Sequence, residues 1–235
     1  MAINPTPYRH LFFDLDRTLW DFESNAARTL QEIVDHFELL QRGIPSAENF
    51  ITTYRKINNQ MWDAYRKGEL DKDTLRSERF HRALKSFGID DEDLGAYIGT
   101  YYIRESPLKT KLFDGAHETL EYLQDRYTLH IITNGFEEVQ HVKLENSRLR
   151  GYFDLVVTSE GAGVKKPDPG IFHHALEQAG AAPKESLMIG DDVKVDLLGA
   201  KGVGMDQVYF DPHGVTTEHP VTYRIEALSE LRSLL

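Results

Sequence analysis

The chain has 235 residues, of which 40% are hydrophobic and 28% are charged, and its formal net charge is −11. This composition is typical of a folded protein and excludes a fibrous or disordered chain, while the length allows one large domain or a medium domain with a smaller companion. The absence of cysteine excludes disulfides, thiolate metal sites and a cysteine nucleophile, and the acidic charge argues against a nucleic acid polymer as partner.

The sequence also bears on membranes and location. No apolar run approaches the roughly 18 residues that a membrane-spanning helix requires, so we expect no membrane partner. The N-terminal residues, which include Pro5 and Pro7, lack the apolar segment of a signal peptide. We therefore expect a cytoplasmic protein.

Five short apolar runs are the candidate strands. They are residues 11–13, 129–133, 155–157, 187–189 and 208–210. Helical patterns follow Gly115, Pro169 and Asp192, so that strands alternate with helices over most of the chain. This alternation predicts an α/β fold in which a doubly wound, Rossmann-like parallel sheet carries helices on both faces.

The alternation is interrupted after the first run. Residues 22–106 show several amphipathic helical patterns and no convincing strand. The first pattern carries an apolar stripe that reaches Leu40, and the second begins behind Ser46, a good N-cap residue. We therefore predict an α/β core of residues 1–21 and 107–235, with an inserted helical cap domain of residues 22–106 that acts as a lid.

Polar residues follow the apolar runs, at the carboxyl ends of the predicted strands. Ligands bind at this edge in open parallel sheets. The residues are Asp14, Asp16 and Thr18 after the first run, Thr133 and Asn134 at the end of the second, Lys166 after the third, and Asp191, Asp192 and Asp196 after the fourth. We expect these side chains to converge on one site.

The residue types in this set suit phosphoryl transfer. Asp14 and Asp16 leave their strand on the same side, and their carboxylates suit a hard cation such as Mg²⁺, with Asp191 as a third carboxylate. A carboxylate can also be a nucleophile that forms an aspartyl-phosphate, while a neighbouring carboxyl exchanges a proton with the leaving oxygen. The hydroxyl of Thr133 and the ammonium of Lys166 can neutralise phosphoryl oxygens.

In this order the residues resemble the four motifs of the haloacid dehalogenase superfamily of phosphatases. The motifs read Asp14-x-Asp16-x-Thr18, then Thr133, then Lys166-Pro167, and then Gly190-Asp191-Asp192 with Asp196. The resemblance implies that Asp14 is the nucleophile and a metal ligand, and that Asp16 is the general acid/base whose backbone carbonyl also binds the metal. It further implies that Asp191 is the third protein ligand to Mg²⁺ and that the helical insert is the family's cap.

The resemblance also assigns the remaining motif residues. Thr133 and Lys166, with Asn134 beside them, would bind the phosphoryl group, and Asp192 and Asp196 would support the metal site. Two ambiguities stay open, because Asp192 competes with Asp191 as the metal ligand and Lys165 stands beside Lys166. The proline that follows Lys166 matches the family pattern and favours Lys166.

Substrate choice must come from residues outside these motifs, since the motifs recognise only phosphate. Residues 131–136 and 152–172 look like those of bacterial nucleoside 5′-monophosphatases that act on pyrimidine nucleotides. Trp62 and Tyr65 share one face of a predicted helix and Phe22 precedes it, so all three are candidates to stack on a base. The alternative interpretation is that Trp62 and Tyr65 only pack the apolar stripe of that helix.

The sequence therefore predicts a Mg²⁺-dependent phosphomonoesterase that acts through an aspartyl-phosphate on a small phosphorylated metabolite. The preferred substrate is a ribo- or deoxynucleoside 5′-monophosphate with a pyrimidine base. The enzymatic alternatives are a phosphosugar phosphatase or mutase and a 2-haloacid dehalogenase, although the presence of Asp16 argues against dehalogenation. The alternative outside enzymes is a phosphorylatable receiver-type switch.

Overall fold

The structure is a computed structural model, and it describes residues 8–214 and 217–235. The first residues, on which the expected lack of a signal peptide depends, lie outside the described part. The chain divides into two compact units. One comprises Met1–Phe22 and Thr110–Leu235 and is called the sheet unit below, and the other comprises Glu23–Lys109 and is called the helical unit. The expected domain bounds and lid role stay predictions.

Over the described residues, the sheet unit forms a sheet of six parallel strands. They are β1 (His10–Phe13), β2 (Thr128–Thr133), β3 (Leu155–Thr158), β4 (Ser186–Gly190), β5 (Asp206–Phe210) and β6 (Tyr223–Ile225). Their order across the sheet is β3-β2-β1-β4-β5-β6. The chain thus winds outward from β1 in both directions, which confirms the predicted doubly wound α/β fold.

Helices lie between successive strands from β1 to β5, and four of them follow one another between residues 22 and 105. In chain order they are α1 (Phe22–His36), α2 (Ala47–Arg66), α3 (Lys72–Lys85), α4 (Glu92–Glu105), α5 (Ala116–Gln124), α6 (Glu137–Asn146), α7 (Ser159–Ala162), α8 (Pro169–Ala179), α9 (Leu198–Gly202) and α10 (Leu231–Leu234). One π-helical turn, Val193–Leu197, precedes α9. Within the described residues, no helix combines the length and the apolar character needed to cross a membrane.

Each face of the sheet buries its own apolar cluster. Successive residues of a strand point to opposite faces, so Leu11 and Phe13 of β1 pack in one cluster and Phe12 packs in the other. Leu120 of α5 covers the first face and Phe172 of α8 covers the second. The strand ends are therefore held by two packed layers, which gives the loops at the carboxyl edge a rigid base.

The helical unit packs α1 to α4 around a separate apolar cluster that includes Leu30, Phe50 and Phe80. Ser46 caps α2 as predicted, because its Oγ accepts a 3.1 Å hydrogen bond from the Asn49 N–H. The apolar stripe predicted to reach Leu40 is wrong at its end. The helix α1 ends at His36, Glu38 adopts a left-handed φ of 50°, and Leu40 is 48% exposed.

Candidate active site

The register of β1 and β4 brings two aspartates together. Phe13 of β1 lies opposite Ile189 of β4, and the Asp14 N–H donates a 2.9 Å hydrogen bond to the Ile189 carbonyl. Asp14 directly follows β1, and Asp191 directly follows β4. Both carboxylates therefore leave the same edge of the sheet from neighbouring strands.

Three carboxylates form a cluster at this edge, and we call it the carboxylate cluster. One oxygen from each of Asp14, Asp191 and Asp196 lies within 4.8 Å of the other two. Thr18 Oγ1 donates a 3.4 Å hydrogen bond to Asp191 Oδ1, which ties the first motif to the fourth. Gly190 leaves room for this packing, since a Cβ at that position would lie 2.7 Å from Asp196 Cβ. An all-carboxylate set of this size fits Mg²⁺.

The ammonium of Lys166 bridges two members of the carboxylate cluster. Its Nζ lies 2.6 Å from Asp14 Oδ1 and 2.7 Å from Asp196 Oδ1, and it also donates a 2.7 Å hydrogen bond to the Ile132 carbonyl. The Lys166 side chain is buried. Of the two adjacent lysines, Lys166 is the one that makes these contacts.

The cluster carries more negative charge than Lys166 neutralises. Burial raises the pKa of Asp14 to about 7 against the opposing effect of Lys166, and the charge of Asp196 raises it further. Burial, followed by the charges of Asp196 and Asp14, raises the pKa of Asp191 well above its usual range. Burial alone would lower the pKa of Lys166, but Asp14 and Asp196 raise it above its ordinary value. A divalent cation would relieve this repulsion.

Asp192 uses its side chain differently from Asp191. Its Oδ1 accepts hydrogen bonds of 2.9 Å from the Lys194 N–H and 3.0 Å from the Val195 N–H, so the carboxylate caps the turn that follows β4. Its own N–H donates a 3.1 Å hydrogen bond to Asp196 Oδ2. Of the two adjacent aspartates, Asp191 is the member of the carboxylate cluster.

The predicted phosphate-binding residues converge at the end of β2. Thr133 is buried, and its Oγ1 accepts a 3.0 Å hydrogen bond from the Gly135 N–H. The Asn134 side chain donates from Nδ2 to the Lys166 carbonyl and accepts at Oδ1 from the Lys166 N–H, both at 2.8 Å. Asn134 thus holds the backbone that places the Lys166 ammonium. The phosphate contacts of Thr133, Asn134 and Lys166 stay predictions.

Asp16 contacts two residues that the sequence analysis missed, both on α6. Lys143 Nζ lies 2.5 Å from Asp16 Oδ1, and Gln140 Nε2 donates a 3.1 Å hydrogen bond to Asp16 Oδ2. Burial lowers the pKa of Lys143, although the charge of Asp16 opposes this effect. Gln140 and Lys143 could have been identified from their spacing, because residues three positions apart lie on the same face of a helix, here the helix after the second strand.

The three aromatic candidates have different surroundings. The Phe22 ring lies under the Arg17 guanidinium, 4.4 Å from its centroid, and Arg17 has a left-handed φ of 67°. Trp62 and Tyr65 lie on α2 of the helical unit in an edge-to-face pair with centroids 5.5 Å apart. Tyr65 is buried and Trp62 is partly exposed. Their predicted contact with a base stays a prediction.

Comparisons with known proteins agree on one family. Residues 8–204 match the model of the haloacid dehalogenase-like hydrolases. The pyrimidine 5′-nucleotidase YjjG of Escherichia coli is 33% identical over 229 residues, which cover 96% of this chain and 96% of the relative. The pyrimidine 5′-nucleotidase PynA of Streptococcus pneumoniae is 29% identical over 97% of this chain and 95% of the relative.

Another relative and a solved structure extend this picture. A glyceraldehyde 3-phosphate phosphatase of Pyrococcus furiosus is 31% identical over 96% of this chain and 90% of its own length. The crystal structure of the HAD-hydrolase YfnB of Bacillus subtilis, bound to magnesium, superposes with a TM-score of 0.87. It is 29% identical and covers 97% of this chain and 98% of that chain. The similar proteins thus include enzymes named for nucleotides and for a phosphosugar.

Proposed function

Because the chain belongs to the haloacid dehalogenase-like hydrolases and is a phosphoric monoester hydrolase, we propose that it is a Mg²⁺-dependent nucleoside 5′-monophosphatase that prefers pyrimidine bases. The observation that carries the phosphatase chemistry is the carboxylate cluster with Lys166 at its centre. One edge of the sheet carries the carboxylate of Asp14, which would be the nucleophile, and the buried ammonium of Lys166. It also carries the carboxylate of Asp16, which is held separately by Lys143.

The reaction proceeds in two displacement steps. In the first, a carboxylate oxygen of Asp14 attacks phosphorus, the bond from phosphorus to the leaving oxygen breaks, and Asp16 donates a proton to that oxygen. In the second, water attacks the aspartyl-phosphate, Asp16 accepts a proton from this water, and the bond from phosphorus to Asp14 breaks. Inorganic phosphate leaves, and both aspartates return to their starting states.

The negative charge of the transferred phosphoryl group would be neutralised by residues at the strand ends. Lys166 supplies a fixed ammonium, and Thr133 supplies a hydroxyl at the end of β2. Mg²⁺ would be held by Asp14, Asp191 and the backbone carbonyl of Asp16, and when bound it supplies positive charge that neutralises phosphoryl oxygens. The magnesium bound in the similar YfnB structure supports the choice of metal.

The choice of a nucleotide substrate is supported by the two pyrimidine 5′-nucleotidases among the full-length relatives. The phosphosugar phosphatase is the second candidate, because the glyceraldehyde 3-phosphate phosphatase is similarly close. Both share the same phosphate chemistry and differ in the leaving group. The cytoplasmic location expected from the sequence stays a prediction.

The test is a substrate panel with purified protein. It contains 4-nitrophenyl phosphate, UMP, dUMP, AMP, glucose 6-phosphate and glyceraldehyde 3-phosphate, each assayed with Mg²⁺ and with EDTA. We expect turnover only with Mg²⁺ and a kcat/KM for UMP and dUMP at least about tenfold above the sugar phosphates, the equivalent of about 1.4 kcal/mol.

Each alternative gives a different result on this panel. A preference for either sugar phosphate would replace the nucleotide assignment by the phosphosugar one. Transfer of the phosphoryl group to a second sugar hydroxyl would indicate a mutase. Stoichiometric phosphorylation without turnover would indicate a receiver-type switch, and release of halide from a 2-haloacid in EDTA would indicate a dehalogenase.

A further inference from the structure

Both carboxylate oxygens of Asp16 are held by side chains of a single helix. Lys143 Nζ contacts Oδ1 at 2.5 Å, and Gln140 Nε2 donates to Oδ2 at 3.1 Å. Gln140 and Lys143 are three positions apart on α6, so their side chains project from the same face of the helix. The plane of the Asp16 carboxylate is thus defined by two donors that share one rigid support.

The two donors are buried, and the fold makes specific room for them. Lys143 and Gln140 are 4% and 1% exposed, whereas the Asp16 side chain keeps 22% of its surface exposed. The Lys143 ammonium also lies 4.2 Å from the centroid of the Trp20 ring, a favourable cation–π distance. Gly135 accommodates the amide of Gln140, because a Cβ there would lie 2.5 Å from Gln140 Cδ.

Burying a lysine and a glutamine lowers the stability of the fold unless their polar groups have partners. A side-chain ammonium taken out of water requires a partner, and here the partner is a carboxylate that remains open on one side. The same carboxylate lies close enough to Asp14 for its charge to raise the Asp14 pKa. Without the α6 donors, the Asp16 carboxylate would be free to rotate toward the carboxylate cluster, where Mg²⁺ would be held.

We propose that Lys143 and Gln140 are positioning residues that fix the orientation of Asp16 for proton transfer to the leaving oxygen and keep its carboxylate out of the metal site. This inference rests on the proposed role of Asp16 as general acid/base. Neither residue touches the reacting atoms in this role. Their effect reaches the substrate through Asp16 and is largest where the leaving oxygen needs a proton.

The experiment compares Lys143→Met with wild type on two substrates, 4-nitrophenyl phosphate and the best alkyl phosphate of the panel. We expect kcat/KM for the alkyl phosphate to fall by roughly 10- to 100-fold, the usual effect of losing a residue that orients a functional group. The loss with nitrophenyl phosphate should be several-fold smaller, because that leaving group needs little protonation. Lys184→Met, which removes an exposed lysine before β4, is the matched control and should retain wild-type rates.

A double-mutant cycle separates positioning from a general structural role. In an Asp16→Asn background, Lys143→Met should reduce kcat/KM by about twofold or less, since the group through which it acts is already lost. The proposal would be overturned if Lys143→Met lowered kcat/KM by the same factor in the Asp16→Asn background as in wild type. It would also be overturned if Lys143→Met lowered kcat/KM equally for both substrates. If Lys143→Met does not fold by circular dichroism, the neutral Gln140→Met carries the same comparison.

The cycle also distinguishes this inference from the proposed function. If Asp16→Asn itself affects aryl and alkyl phosphates equally, the acid/base assignment of Asp16 fails and this inference fails with it. If Asp16→Asn shows the expected leaving-group dependence and neither α6 variant does, only the positioning role is overturned.

Discussion

Lys166 Nζ donates a 2.6 Å hydrogen bond to Oδ1 of Asp14, and both side chains are buried. The residues are 152 positions apart in the chain. They meet because β2 lies beside β1 in the sheet, and Lys166 reaches across the end of β2 through its hydrogen bond to the Ile132 carbonyl. The pair is the electrostatic centre of the proposed site.

Removing Lys166 should expose the repulsion among the carboxylates. Lys166→Met leaves Asp14 and Asp196 buried without this counterion, and breaking a buried pair typically costs about 3–5 kcal/mol of unfolding free energy. Mg²⁺, which would bind the native cluster and not the unfolded chain, should restore part of the stability. Thermal unfolding in EDTA and in Mg²⁺ measures this, and the adjacent Lys165→Met is the control. Equal behaviour of the two lysine variants would contradict the prediction.

Asp14→Asn should abolish turnover and preserve the fold. An amide is neither a nucleophile nor an anionic ligand, so no phosphoryl-enzyme can form. Lys166 keeps Asp196 as its partner in this variant, and the Asp14 charge that raises the pKa of Asp191 is lost, so the melting temperature in EDTA should be unchanged or higher. Steady-state assays and calorimetry measure the two effects, and retention of a substantial part of the wild-type kcat would remove Asp14 from the nucleophile role.

Asp191→Ala and Asp192→Ala should fail in different ways. Asp191 belongs to the carboxylate cluster, so its loss should raise the Mg²⁺ concentration needed for half-maximal activity. Asp192 caps the turn after β4, and its loss should cost about 1 kcal/mol of stability with little change in metal affinity. Metal titrations and urea unfolding of both variants decide the assignment, and a reversed pattern would move the ligand to Asp192.

The sequence predicts that the motif residues lie at one edge of the sheet, because they follow strands whose apolar runs are continuous. Phe12 and Phe13 in β1, like Met188 and Ile189 in β4, are buried on opposite faces of the sheet, and this burial is what makes the apolar runs continuous. The polar residues after such runs must reach the same edge of the sheet. Parallel pairing then places Asp14 beside Asp191 without any further information.

The helix α6 and the strand β6 could not be predicted, because neither has a clear apolar pattern. The buried face of α6 carries Gln140 and Lys143 together with Leu144, so the apolar period that identifies a surface helix is absent. Its buried polar residues contact Asp16, and Lys143 also lies over the Trp20 ring. The strand β6 has only three residues, Tyr223–Ile225, too few for a visible alternation.

A histidine pair on β1 and β2 should make stability depend on pH. His130 Nε2 lies 3.1 Å from His10 Nδ1, and the His130 ring stacks on Phe12 at 4.6 Å. Burial lowers the pKa of His130 from 6.5 to about 4, the charge of His10 lowers it further, and Asp154 opposes both. As the pH falls, His130 therefore becomes protonated near pH 6.5 in the unfolded chain but only near pH 4 in the folded chain.

The contribution of His130 to the free energy of unfolding should consequently be complete above pH 6.5 and fall between pH 6.5 and 4, with a slope of up to about 1.4 kcal/mol per pH unit. The raised pKa values of Asp14 and Asp191 act in the opposite direction, so the His130 slope is the difference between wild type and a variant that lacks this histidine. Urea unfolding at several pH values measures the slope. His130→Phe should flatten it, because phenylalanine has no proton to gain. His141→Phe replaces a histidine that is 50% exposed and should leave the slope unchanged. A wild-type slope that survives in His130→Phe would assign the pH dependence to other groups.

Trp62 should contribute to the choice of substrate. Tyr65 is buried in the helical unit, so its removal would mainly lower stability, whereas Trp62 is partly exposed and can be truncated with less damage. Stacking of a base on an aromatic ring is worth roughly 1–3 kcal/mol, and a sugar phosphate offers no comparable flat surface. Trp62→Ala should therefore lower the ratio of kcat/KM for UMP over glyceraldehyde 3-phosphate by about tenfold.

The matched control is Tyr97→Ala, which removes another aromatic ring of the helical unit, one that is 68% exposed. Its ratio of kcat/KM should equal that of wild type. If Trp62 only packs against its own unit, Trp62→Ala would lower the melting temperature and leave the ratio unchanged, because packing alone affects both substrates equally. A fall in the ratio without a comparable loss of stability would place the indole against the base of the substrate.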